Sequence, residues 1–112
     1  MLLNTARDEA KMGGPSQLRN WAILELTYAC GLRVSEVCAL DMSSLNRDAL
    51  TVRVVGKGNK ERVVPYGPPA AQALDHWLVR GRPQLVREGS GNALFLGEKG
   101  GRIDPRVVRS MV

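Results

Sequence analysis

Apolar residues recur at steps of three and four along four parts of this 112-residue chain, a spacing that predicts helices. Ser16 and Ser35 are placed to cap the first two helices, and Gly31 stands where the first needs a residue free to take positive φ. Trp21 and Tyr28 follow the apolar spacing of the first helix, so we expect both in the core rather than stacked on a ligand. The predicted helices cover about residues 17–30, 34–40, 70–79 and 104–112.

The period changes to two in the middle of the chain, which predicts strands. Residues 50–55 are β-branched and alternate, residues 62–65 repeat that character, and the glycine-rich residues 56–61 between them favour a turn. This pattern predicts an antiparallel hairpin with two lysines at its tip. Residues 94–96 predict one more short strand. The predicted fold class is α+β, with helices packed around a small antiparallel sheet from which a basic hairpin protrudes.

The two ends of the chain differ in character. Residues 1–15 become polar and glycine-rich, which predicts a linker or an irregular domain start, and residues 16–112 are predicted to form one domain. At the other end, Asp104 and Pro105 have the form of an N-cap and a first helical residue, but no stop signal follows before Val112. We therefore expect the domain to continue beyond this sequence.

Composition narrows the possible partners. The net charge of +5 favours a polyanionic partner. Cys30 and Cys38 fall in apolar helical patterns, which favours buried free thiols in a reducing compartment over a disulfide or a metal pair. His76 is the one histidine, so we expect no metal site. The sequence shows neither an apolar run of membrane-spanning length nor a secretory pattern, so we expect a soluble, cytoplasmic protein without a membrane partner.

Arg33 stands at the predicted corner between the first two helices, flanked by apolar residues and followed three positions later by Glu36. A guanidinium held at such a corner offers two parallel donors to a phosphate, which a lysine does not. Glu36 would then hold this fork in place. The residues alone leave open a purely structural alternative, in which Arg33 pairs with Glu36 and with backbone carbonyls.

Two further groups of residues are candidates for contacts with phosphates. The hairpin group consists of Arg53, Lys57, Asn59, Lys60 and Arg62. The C-terminal group consists of Arg102, Arg106 and Arg109, whose spacing allows them to share one helix face. For both groups the alternative is an ordinary solvated surface. The hairpin turn lacks the spacing of a nucleotide-binding phosphate loop and precedes a strand, so we do not expect nucleotide binding.

Two segments of the sequence resemble motifs of a known protein family. Residues 29–37, Ala-Cys-Gly-Leu-Arg-Val-Ser-Glu-Val, resemble the first arginine box of the tyrosine recombinases, the phage-integrase and Xer-like family. Residues 55–65, Val-Gly-Lys-Gly-Asn-Lys-Glu-Arg-Val-Val-Pro, resemble the β-hairpin lysine motif of that family. The two segments occur in the expected order, and the resemblance extends over about residues 16–112.

The resemblance implies site-specific strand exchange on double-stranded DNA. In this family a tyrosine hydroxyl attacks a phosphodiester, which gives a 3′-phosphotyrosyl link and a free 5′-hydroxyl without a metal or a high-energy cofactor. Arg33 matches the first catalytic arginine, Lys57 matches the hairpin lysine, and Glu36 matches an acidic position that supports the active site. Full-length members work as tetramers on paired DNA sites, so the same is implied for the parent protein.

The chain also departs from the family pattern. The second arginine box, of the form His-x-x-Arg, and the nucleophilic tyrosine have no match here, because Tyr28, Tyr66 and His76 stand at other positions. We therefore expect a part of a DNA recombinase or integrase, roughly the first two-thirds of its catalytic domain, which does not cleave DNA alone. The alternative is a non-catalytic DNA-binding module or a decayed recombinase relic.

Overall fold

A computed structural model describes residues 2–111 as a set of helices with one small antiparallel sheet. The helices are α1 (Leu2–Met12), α2 (Pro15–Cys30), α3 (Val34–Ala39), α4 (Gly67–His76), α5 (Arg82–Leu85) and α6 (Pro105–Arg109). The strands are β1 (Leu45–Asn46), β2 (Thr51–Val55) and β3 (Glu61–Pro65), which pair antiparallel in the order β1-β2-β3. The predicted α+β class is therefore confirmed.

Helix α2 lies at the centre of the core because it is apolar on almost every side, the pattern of a helix that is covered all round. Helices α1 and α4 pack against it, and Trp21 is buried as predicted. Tyr28 differs from the prediction, since its side chain is 73% exposed. The last turn of α2 borders an open groove between the starts of α1 and α4, lined by Leu3 and Pro68, which leaves this side of α2 uncovered.

The segment before α2 is more regular than expected. Residues 2–12 form a helix instead of an irregular linker, and Ala6 and Ala10 are buried against α2. Leu3, Ala6 and Ala10 recur at steps of three and four, so the segment carried the pattern of an amphipathic helix before the glycines that follow it. The division of the chain at residue 16 stays a prediction.

The helix ends follow the expected chemistry, with two small displacements. Helix α2 begins at Pro15, one residue before the predicted cap Ser16. The N-cap of α3 is Arg33 and not Ser35. At the end of α2, Gly31 takes a φ of 65°, the left-handed conformation that the sequence predicts for this stop.

The predicted hairpin is confirmed, and its strands alternate cleanly. Val52 and Val54 of β2 are fully buried, whereas Arg53 between them points to the outer face. The tip, Lys57–Asn59, is a tight turn in which Gly58 takes a φ of 74° and Asn59 a φ of 61°. Asparagine is one of the few residues other than glycine that tolerates this conformation, which allows so tight a turn.

Residues 94–96 lie in the core, and within the described chain they do not form the predicted strand. All three side chains are buried, so the segment has no solvent face. Its carbonyls accept hydrogen bonds from side chains: Trp77 Nε1 donates to Leu94 O at 2.9 Å, and Arg19 Nη1 donates to Leu96 O at 3.1 Å. Backbone pairing within residues 2–111 is limited here to isolated bridges, Ala93 with Asp41 and Leu96 with Arg102, and the two side-chain donors satisfy the carbonyls of Leu94 and Leu96.

The helix predicted over residues 70–79 is longer and less regular than expected. It starts at Gly67, and after His76 it continues through a π-helical turn, Trp77–Gly81, into α5. Glycine is needed at position 81, because a Cβ there would lie 2.5 Å from Cε3 of Trp77 and 3.2 Å from Cβ of Leu18. Because glycine has no Cβ, the π-helical turn packs closely against Leu18 of α2.

Candidate functional site

The corner between α2 and α3 and the base and tip of the hairpin together line an open cleft of about 370 Å³. Arg33 and Lys57, which α3 and two strands separate in the sequence, both contribute to it. Four basic side chains against two acidic ones give the cleft a positive charge. Its lining residues are Gly31, Arg33, Glu36, Gly56, Lys57, Lys60, Glu61 and Arg62.

Arg33 presents an exposed guanidinium to this cleft. Its backbone is fixed, because it is the N-cap of α3 and its amide donates to Oε1 of Glu36 at 2.9 Å. Among residues 2–111 the guanidinium itself forms no hydrogen bond or ion pair. The structural alternative, in which Glu36 and carbonyls occupy the Arg33 fork, is therefore not what the structure contains.

Glu36 holds a different arginine from the one expected. Its Oε2 accepts from Nη1 of Arg62 at 2.7 Å, and its Oε1 accepts from Nη2 of Arg62 at 3.1 Å as well as from the Arg33 amide. The Glu36 side chain is only 7% exposed. The Arg62 hydrogen bonds, with help from the Arg33 amide and against the effect of burial, lower the pKa of Glu36 from 4.5 to about 2.

We expect Glu36 to make the fold less stable in acid. Because its pKa is lower in the folded chain than in the unfolded one, its contribution is complete above about pH 4.5 and is lost as the pH falls toward 2. Glu36→Gln removes about 1.5–3 kcal/mol of unfolding free energy near neutral pH. Urea unfolding of both proteins between about pH 2 and pH 6 measures the difference, which we expect to shrink as the pH falls.

The matched control for this experiment is Glu61→Gln, which removes an exposed carboxylate of the same cleft. This variant should keep the pH dependence of the wild type. A difference between wild type and Glu36→Gln that stays constant down to pH 2 would contradict the assignment of the low pKa to Glu36.

The five predicted hairpin residues do not form one surface. Lys57, Asn59 and Lys60 are exposed at the tip, and both lysines line the cleft. Arg62 lies on the sheet face of the buried valines and reaches Glu36, whereas Arg53 lies on the opposite face. Arg53 and Arg62 were predicted as equivalent contacts, and the strand pleat separates them.

Arg102 has a structural environment and does not belong to the C-terminal helix. Its Nη1 donates to the carbonyls of Cys38 and Leu40 at 3.0 and 2.9 Å, and its Nη2 pairs with Asp41 at 2.5 Å. These carbonyls lie at the end of α3, where a helix leaves its last acceptors unsatisfied. The prediction that Arg102 shares a helix face with Arg106 is therefore wrong.

Helix α6 is shorter than predicted. It begins after the N-cap Asp104, as the sequence indicates, and ends at Arg109, while Val112 lies outside the described residues. Arg106 is paired with Asp104 at 3.0 Å, which occupies part of its guanidinium. Arg109 is exposed and forms no ion pair within the part of the chain that the structure describes.

The cysteines and the histidine do not form a reactive site. Cys30 and Cys38 are free thiols; Cys38 is buried as predicted, whereas Cys30 is only partly buried. Burial raises the pKa of both, which keeps them protonated. His76 packs against Trp21 with a ring distance of 5.4 Å. Across residues 2–111 no group of three or more His, Cys, Asp or Glu side chains is arranged to hold a metal ion. No helix in this range is long and apolar enough to cross a membrane.

Comparison with known proteins identifies one family and several of its members as relatives of this chain. The model of the phage integrase family matches residues 1–112. Tyrosine recombinase XerC of Mycobacterium sp. (strain KMS) is 48% identical over 110 residues, which cover 98% of this chain and 37% of the relative. Tyrosine recombinase XerC of Bifidobacterium longum (strain DJO10A) is 50% identical over 113 residues, which cover 95% of this chain and 32% of the relative.

A solved structure has the same fold. The crystal structure of XerA recombinase superimposes with a TM-score of 0.78 at 23% sequence identity, and the match covers 98% of this chain and 36% of that chain. The chain thus spans about a third of the length of the proteins it matches.

Proposed function

Because this chain belongs to the phage integrase family, we propose that the cleft around Arg33 and Lys57 is half of an active site that cuts and rejoins DNA. The reaction is site-specific strand exchange through a 3′-phosphotyrosyl intermediate. The observation that carries this proposal is the meeting of Arg33 and Lys57 in one positively charged cleft. Within the described residues neither side chain has an ion-pair partner, so both charges are available to a phosphate.

Arg33 suits the stabilisation of the phosphoryl transition state. Negative charge accumulates there on the non-bridging oxygens, where a fixed pair of parallel donors is worth most. The N-cap position and the amide hydrogen bond to Glu36 hold the backbone of Arg33 before any substrate arrives. The base of the side chain is therefore fixed, and the guanidinium breaks no hydrogen bond or ion pair within the described residues when it binds the phosphate.

Lys57 suits the role of general acid. Its ammonium gives a proton to the departing 5′-oxygen, a contribution that is typically worth about 10²–10⁴ in rate. The residue stands at the start of the hairpin tip, directly after Gly56, and its side chain reaches the cleft. Lys60 lines the same cleft and would neutralise a neighbouring phosphate.

The remaining parts of the reaction lie outside this chain. No residue here matches the nucleophilic tyrosine of the family, and Tyr66 is buried with a pKa that burial raises. We therefore propose that residues 1–112 bind double-stranded DNA but do not cleave it alone. The full-length protein would act as a tetramer on paired DNA sites in the cytoplasm, without a metal or an organic cofactor.

We expect this chain to bind a random-sequence DNA duplex at low salt, with an affinity that falls as salt rises. Each phosphate that a lysine neutralises contributes about 0.9 to the slope of log affinity against log salt concentration. The double variant Lys57→Ala/Lys60→Ala should therefore lower that slope by about 1.8 and weaken binding at low salt. Fluorescence anisotropy of a labelled duplex over a series of salt concentrations measures both quantities.

The matched control is Lys11→Ala/Lys99→Ala, which removes the same charge from exposed lysines outside the cleft. A general effect of net charge would change both double variants equally, and this result would contradict the proposed interface. Binding that both double variants leave unchanged would place the DNA contacts elsewhere on the chain.

A further inference from the structure

We propose that Arg62 is a positioning residue, whose ion pair with Glu36 fastens the hairpin that carries Lys57 to the corner that carries Arg33. The sequence favours a different role, a direct contact with DNA. The inference rests on the proposed function only in taking Arg33 and Lys57 as partners in one reaction. The ion pair between Arg62 and Glu36 is the contact that sets the distance between Arg33 and Lys57.

The ion pair is built as a connector between two elements. Both Nη atoms of Arg62, on β3, donate to the Glu36 carboxylate on α3, at 2.7 and 3.1 Å. A bidentate pair fixes direction as well as distance, which a single contact does not. The same carboxylate accepts the backbone amide of Arg33 at 2.9 Å. One buried carboxylate thus holds the backbone of the corner and the base of the hairpin together.

Gly56 extends this connection to Lys57. A Cβ at position 56 would lie 3.2 Å from Oε2 of Glu36 and 3.5 Å from Nη1 of Arg62, so the bare backbone packs directly on the ion pair. The Gly56 amide also donates to the carbonyl of Lys60 at 2.8 Å, which closes the tip. The residue immediately before Lys57 is therefore held between the ion pair and the turn.

The same geometry argues against Arg62 as a phosphate ligand. Its two terminal nitrogens are taken by a carboxylate that stays ionised, since the pKa of Glu36 is about 2. The pair then adds no net charge to the cleft. The other charged side chains that line the cleft around the ion pair are Arg33, Lys57, Lys60 and Glu61. Arg33, Lys57 and Lys60 supply its positive charge.

The test uses nuclear magnetic resonance on the 112-residue chain, with circular dichroism to verify that each variant is folded. In Arg62→Ala we expect the pKa of Glu36 to rise from about 2 toward 4.5 and the amide resonances of Gly56 and Lys57 to shift. Arg53→Ala is the matched control, because it removes the same charge from the opposite face of the hairpin. It should leave the Glu36 pKa and the Gly56 amide unchanged.

The wild-type titration provides a readout that does not depend on any variant folding. If the ion pair positions the tip, the Gly56 and Lys57 amides begin to shift with the same midpoint as the Glu36 carboxyl resonance. Amides that do not follow Glu36, or a Glu36 pKa that Arg62→Ala leaves in place, would overturn the proposal. Arg62→Gln, which keeps a donor but not the charge, serves if Arg62→Ala does not fold.

A DNA salt titration separates this inference from the proposed function. The double variant Glu36→Gln/Arg62→Gln removes the ion pair without changing the net charge, so it should leave the salt slope of DNA binding unchanged, whereas loss of a direct phosphate contact would lower it by about 0.9. That lower slope, together with a Glu36 pKa that Arg62→Ala leaves unchanged, would show that Arg62 contacts DNA and does not position the hairpin. Failure of the chain to bind any DNA would count against the proposed function, and the resonance experiment would still decide the role of Arg62.

Discussion

Replacing Arg33 by alanine is expected to lower DNA cleavage by about 10²–10³-fold, in a chain extended to the full length of the XerC relatives. Under the proposed function the loss arises because the guanidinium stabilises charge that develops only in the transition state. Stability should hardly change, since the Arg33 side chain is exposed and has no ion-pair partner among residues 2–111. Trapping of the covalent protein–DNA complex on a nicked suicide substrate measures cleavage, and thermal unfolding measures stability.

Arg47→Ala is the control for this experiment. Arg47 is an arginine of similar exposure that pairs with Asp75 at 2.6 Å and does not line the cleft, so its loss should leave cleavage intact. Full cleavage by Arg33→Ala would end the proposed role of Arg33. Absence of a covalent complex in the wild type itself would favour the alternative, a DNA-binding module without chemistry.

Replacing Trp77 by alanine is expected to lower the free energy of unfolding by about 3–5 kcal/mol, the largest effect we predict on the fold. The indole is fully buried and lies 6.2 Å from the ring of Phe95, so its removal leaves a cavity at the centre of the core. Its Nε1 donates to Leu94 O at 2.9 Å, and that carbonyl would lose its partner. Urea unfolding followed by circular dichroism measures the change.

Trp77→Phe distinguishes the two contributions. It keeps an aromatic ring but removes the donor, so it should cost about 1–3 kcal/mol, the usual penalty for a buried polar group without a partner. A loss below about 1 kcal/mol for Trp77→Ala would contradict the described packing of this segment.

The sequence was informative about the fold wherever one periodicity dominates. Helix α2 follows from its apolar run at helical spacing, which ends at Gly31, and the hairpin follows from apolar residues at steps of two, because β2 buries alternate positions. Helix α1 was missed because the polar and glycine-rich residues near position 13 suggested a linker, although Leu3, Ala6 and Ala10 recur at helical spacing. Residues 94–96 were predicted as a strand from their short apolar run, a pattern that does not distinguish a paired strand from a buried segment with isolated bridges.

Buried Arg19 is a residue that the sequence did not identify. It is 4% exposed and donates to Leu96 O, and burial lowers its pKa from the ordinary arginine value. In the sequence it lies in the polar first turns of α2, next to Asn20 and before the apolar run that begins at Trp21. Its acceptor is 77 residues away, so the local pattern carries no sign of this buried hydrogen-bonding role.

The candidate site was predictable in its residue types and less so in its connections. The two family motifs identify Arg33 and Lys57, and the structure places both in one cleft. The partner of Glu36 could not be read from spacing, because Arg33 is its neighbour in sequence while Arg62 arrives from another element. Strand parity offered a partial signal, since Arg62 lies two residues before Val64 and thus on the face that pairs with buried Val52.

The π-helical turn Trp77–Gly81 also bears on how this part of the chain can change in length. Such a turn holds about one residue more than an α-helical turn, so it accommodates one extra residue as a local bulge between α4 and α5. Deleting one exposed residue of the bulge, such as Val79, would return it to an ordinary α-helical turn and leave Leu85 in the core and Arg82 near the Ala93 carbonyl that it binds at 2.7 Å. A deletion within α5 itself would instead rotate the residues that follow by about 100°, so we expect it to be the more damaging change.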